Sequence, residues 1–175
     1  MNREFDLIIY GATGFTGKLA VEYIDNNYSD LKWAIAGRNS EKLNQISNST
    51  KSKPPIFIAS SDDGNSLSEV VKKTKVIASL AGPFSKYSNE LVNQCYENNT
   101  NYVDITGENI WVRDLIDRYH KGCEDKGIFI IPSCGYDSIP SDIGSFYCHM
   151  MLNENIDHID GYHTGKGGVS GGTIE

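Results

Sequence analysis

Short apolar runs recur along the chain at intervals of roughly 25 residues, the spacing of repeated β-α units. The runs are FDLIIY at 5–10, WAIAG at 33–37, IFIAS at 56–60, KVIASLAG at 75–82, NYVDITG at 101–107 and GIFIIPS at 127–133. They are apolar without strict alternation, which is typical of strands buried on both faces of a parallel sheet. The pattern therefore predicts a doubly wound α/β domain, a parallel sheet covered by helices on both sides.

Amphipathic stretches between these runs predict the helices. Ser66 and Glu69 have the spacing of a capping box ahead of an apolar stretch, which predicts that a helix begins there. Two further helices have apolar residues on one face, namely Leu91, Val92, Cys95 and Tyr96, and then Val112, Leu115, Ile116, Tyr119 and Cys123. A last helix is predicted from Pro140, which suits a first helical turn, and carries Ile143, Phe146, Tyr147, Met150 and Met151.

Three glycines, each three residues apart, follow the first predicted strand and open the first predicted helix. We interpret Gly11 as permitting a tight turn, Gly14 as letting a pyrophosphate approach the backbone, and Gly17 as allowing close packing of the helix. The free amides at the helix start would then bind the anion. A glycine-rich turn that binds nothing is the alternative. The turn residues predicted to contact a dinucleotide are Gly11, Thr13, Gly14, Phe15, Thr16 and Gly17.

The end of the second predicted strand indicates which dinucleotide binds. NAD-binding domains place an acidic residue there, whereas this chain has Arg38 followed by Asn39. A guanidinium binds a 2′-phosphate in a bidentate manner, so the sequence favours NADP over NAD. A solvated arginine at a strand end is the alternative. Asp62 and Asp63 follow the third strand, where they are either in reach of the adenine edge or simply solvated.

The turn after the fourth predicted strand contains Ala81, Gly82 and Pro83. It lies at the carboxyl edge of the sheet, where a dinucleotide crosses. We therefore expect its backbone to line the nicotinamide ribose.

The composition is that of an ordinary globular protein, with 39% apolar and 22% charged residues among 175. The net charge of −7 and the lack of a basic cluster argue against binding to nucleic acid or to anionic membranes. The start of the chain leaves no room for a secretion signal, and no apolar run approaches the roughly 20 residues that span a bilayer. We expect a soluble, cytoplasmic protein without a membrane span.

The four cysteines, Cys95, Cys123, Cys134 and Cys148, lie far apart and form no C-x-x-C pair. No histidine stands at metal-ligand spacing from them. The pattern predicts reduced thiols that serve as packing residues, and it predicts neither a disulfide framework nor a metal site.

Five motifs, GATGFTG, WAIAGRNSEKL, LAGPFSKYS, YVDITGE and SCGYDSIPSDIG, occur in this order along the chain. Together they resemble the amino-terminal part of the saccharopine dehydrogenase-like oxidoreductases, whose relatives include trans-acting enoyl reductases of bacterial glycolipid synthesis. The resemblance implies an NADP-binding Rossmann domain at 1–153 and the start of a second, α+β domain at 154–175, most of which is absent from this chain. We therefore expect the chain to be a truncated piece of a longer protein.

The resemblance also implies hydride transfer between NADP(H) and a small or lipid-like carbonyl or enoyl substrate, and hence a role in lipid metabolism. It leaves open a homodimer formed through the second domain, and association with a lipid droplet or membrane through the same part. A non-catalytic NADP(H)-binding redox sensor or scaffold is the alternative function.

Candidate residues for chemistry are few. Tyr136 and Asp137 follow the sixth predicted strand, at the edge where the nicotinamide is expected, and would orient substrate or pass a proton. Glu108 follows the fifth strand in the same way. The alternative for each of the three is a structural role, in a turn that only shapes the linkage to the second domain.

Overall fold

The computed structural model describes residues 3–152 and 156–164. These residues form strands β1 (Phe5–Tyr10), β2 (Trp33–Gly37), β3 (Ile56–Ile58), β4 (Thr74–Ser79), β5 (Asn101–Asp104) and β6 (Ile130–Ile131). The helices are α1 (Phe15–Asn27), α2 (Ser40–Ser49), α3 (Gly64–Val71), α4 (Phe84–Tyr87), α5 (Asn89–Glu97), α6 (Asn109–Lys126) and α7 (Ile139–Leu152). A strand is followed by one helix, or by two after β4, before the next strand, as the spacing of the apolar runs predicts.

The strands form one parallel sheet in the order β3-β2-β1-β4-β5-β6. The chain builds outward from β1 through β2 to β3, and then crosses back to place β4 on the other side of β1. The carboxyl ends of β1 and β4 are therefore neighbours, with Tyr10 opposite Ser79. A crevice outside such a reversal point is where doubly wound sheets bind their ligands.

The core lies on both faces of the sheet, which confirms the doubly wound α/β prediction. Successive side chains of β1 point to opposite faces. Ile9 packs with Val21 of α1 and Leu43 of α2, whereas Ile8 belongs to a second cluster that includes Leu91 of α5. The helices on the two sides thus hold the carboxyl ends of the central strands in fixed positions.

The predicted helix faces are largely confirmed. Leu91, Val92 and Cys95 are the buried residues of α5. On α6 the buried residues are Trp111, Leu115, Tyr119 and Cys123. Ile116 is 46% exposed, so the buried face of α6 is narrower than the sequence indicates.

The predicted capping box at Ser66 is wrong. Helix α3 begins at Gly64, and its N-cap is Asp63. The Asp63 carboxylate accepts hydrogen bonds from the amides of Asn65 and Ser66, at 3.1 and 3.3 Å. Because Asp63 already binds these amides, the helix starts before Ser66 and leaves that residue in the first turn.

Helix α7 forms after the sixth strand, as predicted, but none of its side chains is buried. Cys148 lies on it and is exposed, so the prediction that all four cysteines are packing residues is wrong for Cys148. Cys95 and Cys123 are buried, as predicted.

Residues 156–164 hold neither a helix nor a strand, and the rest of 154–175 lies outside the described residues. The division into two domains therefore stays a prediction. No helix in the described part of the chain is long and apolar enough to cross a membrane.

Candidate functional site: a glycine turn at the carboxyl edge of the sheet

The glycine turn leaves β1 between the ends of β2 and β4. Gly11 has a left-handed φ of +82°, and its amide donates to the carbonyl of Ala36 at 2.9 Å. A Cβ at Gly11 would lie 2.8 Å from the amide nitrogen of Ala81. Both the backbone conformation and the lack of space require glycine at this position, as predicted for the tight turn.

Gly14 is exposed and is the N-cap of α1, with no side chain capping the helix. The first bond of the helix runs from the Lys18 amide to the Gly14 carbonyl at 3.0 Å. Within the described residues, nothing accepts from the amides of Phe15, Thr16 and Gly17. These amides, together with the positive end of the helix dipole, form a favourable environment for an anion.

The second and third glycines differ in what surrounds them. A Cβ at Gly14 would meet no protein atom closer than 3.4 Å, so the protein itself does not require glycine there. A Cβ at Gly17 would overlap the Gly11 carbonyl oxygen and lie 2.8 Å from Cα of Ala12. Gly17 therefore allows close packing of α1, as predicted, but the close contact is with the turn and not with the strands of the sheet.

A cleft of about 200 Å³ opens beside the turn. It includes six of the residues predicted from the sequence: Gly11, Thr13, Gly14, Arg38, Ala81 and Gly82. Its other lining residues are Tyr10, Gly37, Ser61, Leu80 and Tyr87. The remaining predicted residues, Phe15, Thr16, Gly17, Asn39 and Pro83, adjoin this lining along the chain without being part of it.

A larger cleft, of about 610 Å³, lies between α1 and α2. It shares only one lining residue, Thr13, with the cleft beside the glycine turn. Its walls are side chains from the flanks of the two helices, including Lys18 and Lys42. We assign the site to the smaller cleft because only that one combines the glycine turn, Arg38 and the carboxyl end of β4.

Arg38 is exposed at the end of β2 and faces the cleft. Asn39 is the N-cap of α2, and its side-chain oxygen accepts from the Lys42 amide at 2.9 Å. The Ser60 hydroxyl, the backbone amide of Asp62 and the charge of Arg38 lower the pKa of Asp62. Asp62 therefore lies near Arg38 as an ionised group, whereas its neighbour Asp63 caps α3.

Tyr10 and Tyr87 line the cleft but were not predicted from the sequence. Tyr10 is buried at the end of β1, and its hydroxyl donates to the Ala59 carbonyl at 3.4 Å. Burial raises the pKa of Tyr10 to about 12, so the hydroxyl stays protonated at neutral pH. The strand-terminal position of Tyr10 was a usable signal, and so was the place of Tyr87 in the LAGPFSKYS motif.

The far wall of the cleft is the turn from Ala81 to Pro83, which leads into α4. Glu108, from the loop after β5, accepts from the amides of Phe84 and Ser85, at 2.6 and 3.1 Å. Burial alone would raise the pKa of Glu108, but hydrogen bonds from the Ser85 hydroxyl and from these two amides lower it. Glu108 is thus a carboxylate that caps α4 from a different loop.

A second carboxylate ties the loops after β5 and β6 together. Asp104 is 1% exposed and accepts from the Tyr102 hydroxyl at 2.8 Å and from the amides of Thr106 and Ser133, both at 3.0 Å. Its carbonyl accepts from the Cys134 amide at 2.7 Å. Burial raises the pKa of Asp104 above its ordinary value. The three hydrogen bonds to its carboxylate offset only part of that rise.

The candidate catalytic residues Tyr136 and Asp137 are both exposed, and neither lines the cleft. They lie in the loop between β6 and α7, where the amide of Ser138 donates to the Gly135 carbonyl at 3.2 Å. A catalytic role for either residue stays a prediction. Among the described residues, no group of three His, Cys, Asp or Glu side chains is arranged to hold a metal ion.

Comparison with known proteins identifies the family and its cofactor. Residues 7–131 match the family described as the saccharopine dehydrogenase NADP-binding domain. The chain is 31% identical over 179 residues to a lipid droplet localized protein of Caenorhabditis elegans, covering 95% of this chain and 42% of that protein. It is 35% identical over 180 residues to a putative trans-acting enoyl reductase of Mycobacterium tuberculosis, covering 98% of this chain and 43% of that protein.

Among solved structures, saccharopine dehydrogenase (L-Glu forming) of Saccharomyces cerevisiae has a similar fold. The TM-score is 0.70 at 16% identity, over 85% of this chain and 31% of that one. The chain spans less than half the length of these relatives. From the matched family and the site at the glycine turn, we conclude that this chain belongs to the saccharopine dehydrogenase family and carries its NADP-binding domain.

Proposed function

We propose that this domain is the cofactor-binding part of an NADPH-dependent reductase that acts on a lipid-like enoyl or carbonyl substrate. The observation that carries the proposal is the set of unpaired amides at the start of α1, next to a cleft that also contains Arg38. NADP(H) has two anionic groups, a diphosphate and a 2′-phosphate, and these residues offer a favourable environment to each.

The residues of the chain fit the cofactor in two further respects. The Cβ position of Gly14 is free of close protein contacts, which leaves room for a phosphate against the backbone. Arg38 is exposed, so its guanidinium can form charge-assisted hydrogen bonds with a 2′-phosphate. Residues Gly11 to Gly17 would hold the diphosphate, Arg38 and Asn39 the 2′-phosphate, and the Ala81 to Pro83 turn the nicotinamide ribose.

When bound, NADPH supplies a hydride, and the protein has to orient the cofactor and exclude water from it. The fixed carboxyl ends of β1 and β4 provide the orientation. Tyr136 and Asp137 are our candidates for orienting substrate or donating the accompanying proton. The rest of the substrate site would come from the further length that the relatives possess.

The names of the relatives support the substrate class. The Mycobacterium tuberculosis relative is named a putative enoyl reductase, and the Caenorhabditis elegans relative is named for lipid droplets. The first name gives a reaction on an enoyl group, and the second gives a location at a lipid store. We extend that class to this protein as part of the proposal.

The test uses the full-length protein and follows the absorbance of NADPH in the presence of α,β-unsaturated acyl and long-chain carbonyl compounds. We expect substrate-dependent oxidation of NADPH, which is abolished in Gly14→Val. Calorimetric binding of NADPH without oxidation by any of these compounds would instead support a redox sensor or scaffold. A wild-type protein that fails to bind NADPH would overturn the proposal altogether.

A further inference from the structure

Helix α4 is capped by a residue from outside its own segment. It has only four residues, and its N-cap, Pro83, makes no side-chain hydrogen bond to it. The amides of Phe84 and Ser85 donate instead to Glu108, which lies 24 and 23 residues further along the chain. The two oxygens of the carboxylate each accept one of these bonds. Glu108 thus binds the first two amides of α4.

The segment held in this way forms one wall of the cleft. Ala81 and Gly82 precede the capped amides, Tyr87 follows them, and all three line the cleft. A Cβ at Gly82 would lie 3.3 Å from the ring of Phe84, so the turn is folded closely onto α4. The Leu80 amide is held by the Tyr10 carbonyl at 2.8 Å, which fixes the other end of the turn to β1. The position of this wall therefore depends on Glu108 at one end and on the sheet at the other.

Glu108 is itself held by the protein core. Its amide donates to the Thr106 hydroxyl at 3.1 Å, and the Thr106 amide donates to the buried Asp104 carboxylate at 3.0 Å. A continuous set of hydrogen bonds thus runs from the end of β5 to the wall of the cleft. This support restricts the carboxylate to the place where it meets α4.

Apolar packing adds to the support on the same side. The ring of Phe84 stacks on Trp111 of α6, with ring centroids 6.2 Å apart. The indole of Trp111 donates to the side-chain oxygen of Asn89 at 2.9 Å. Because Glu108 is the N-cap of α6, the carboxylate and the indole both reach α4 from the start of that helix. Loss of the carboxylate would leave the stacked rings in place and free the turn itself.

We propose that Glu108 is a positioning residue, which fixes the Ala81 to Pro83 turn so that its backbone meets the nicotinamide half of NADP(H). The inference rests on the proposed function, because it assumes the same direction of the cofactor across the sheet. The adenosine half is held separately, by Arg38 and the glycine turn. Glu108 does not act as a proton donor, since both of its oxygens already accept hydrogen bonds from amides.

The test separates the two halves of the cofactor. Calorimetry on the full-length protein measures the affinity for NADPH and for adenosine 2′,5′-bisphosphate, which lacks the nicotinamide half. In Glu108→Ala we expect the NADPH affinity to fall by roughly tenfold, while that for the bisphosphate stays within about twofold of wild type. Glu108→Gln keeps one acceptor oxygen and should show a smaller loss. The matched control is Glu124→Ala, which removes an exposed carboxylate from the far end of α6 and should change neither affinity.

Hydrogen exchange of the Phe84 and Ser85 amides gives a second readout. It should be faster in Glu108→Ala than in wild type, both with and without bisphosphate. Equal weakening of NADPH and bisphosphate would show a general structural role and overturn the inference, as would unchanged NADPH affinity in Glu108→Ala. If Glu108→Ala does not fold, the same comparison is made with Glu108→Gln. A wild-type protein that binds neither ligand would overturn the proposed function and, with it, this inference.

Discussion

The hydroxyl of Tyr102 donates a 2.8 Å hydrogen bond to the carboxylate of Asp104, two residues further along β5, and both side chains are buried. Residues two apart on a strand point to the same face of the sheet, which brings the two groups together. Asp104 is also bound by the amide of Ser133, which has a left-handed φ of +62°. A buried, ionisable group therefore joins the loops that follow β5 and β6.

Replacing Tyr102 with Phe should lower the free energy of unfolding at pH 7 by about 1.5–3 kcal/mol, the usual worth of a hydrogen bond to a charged group. The change removes one bond from a buried carboxylate and leaves the ring in place. Urea denaturation of the wild type and the variant measures the difference. Tyr147→Phe is the control, because Tyr147 is 61% exposed on α7, and its stability should equal that of wild type.

The cost of Tyr102→Phe should also depend on pH. The pKa of Asp104 is raised above its ordinary value of 3.8, so above that pH the folded protein still binds a proton that the unfolded chain has lost. The stability contributed by Asp104 therefore falls as pH rises from about 4 through the folded-state pKa. The Tyr102 bond opposes this fall by favouring the ionised form. We expect the loss of unfolding free energy in Tyr102→Phe to be largest at pH 7 and to shrink toward pH 4. A loss that is independent of pH would show that the bond does not depend on the charge of Asp104.

Substitutions at two glycines of the same turn should separate folding from binding. Gly17→Ala should lower the free energy of unfolding by about 1–3 kcal/mol, because the new Cβ overlaps the Gly11 carbonyl and forces the backbone to move. Gly14→Ala should change stability by less than about 1 kcal/mol, since its Cβ has room, yet it should weaken NADPH binding. Urea denaturation and calorimetry measure the two properties. Wild-type NADPH affinity in Gly14→Ala would remove Gly14 from the diphosphate site.

The sequence was most informative where local chemistry decides the structure. Strands β1 and β2 have the predicted bounds, because each apolar run is buried on both faces and is bounded by a polar residue or a glycine turn. The glycine turn was equally readable, since a left-handed φ at Gly11 and the close approach at Gly17 leave no other residue type. These are constraints within a few neighbouring residues.

The parts that sequence reasoning missed depend on which of several possible partners a group binds in the folded chain. Tyr87 lines the cleft from the end of α4, a helix whose first amides are bound by Glu108 from another loop. The capping box at Ser66 was mistaken because Asp63, just upstream, binds the same helix start. The buried face of α6 is narrower than its apolar face, because the elements packed on α6 do not cover Ile116. Such competition between possible partners cannot be read from the spacing of one motif.

Asp63→Ala should destabilise the protein without affecting the cofactor. The variant loses the N-cap of α3 and should lower the free energy of unfolding by about 0.5–2 kcal/mol. Its NADPH affinity should equal that of wild type, because the Asp63 carboxylate is engaged with α3. Asp62→Ala is the matched comparison and should leave stability within about 0.5 kcal/mol. A loss of NADPH affinity in Asp63→Ala, with unchanged stability, would place Asp63 at the adenine instead.

Arg38→Asp should weaken the binding of NADPH much more than that of NADH. The substitution removes a guanidinium that would bind the 2′-phosphate and puts a carboxylate in its place, next to the ionised Asp62. Loss of a hydrogen-bonded charge pair predicts a fall of roughly 10- to 100-fold in NADPH affinity. NADH has no 2′-phosphate, so its affinity should change by less than about threefold. Calorimetry with the two cofactors makes the comparison.

Salt and a matched variant identify the cause of that loss. If Arg38 binds the 2′-phosphate, the affinity of wild type for NADPH should fall with ionic strength more steeply than that of Arg38→Asp, because salt screens the exposed charge pair. Arg113→Asp on α6 makes the same change of charge at an exposed residue that does not line the cleft and pairs with Asp117, and it should leave both affinities near wild type. Equal losses of NADPH and NADH in Arg38→Asp would contradict the assignment, since only a contact with the 2′-phosphate distinguishes the two cofactors.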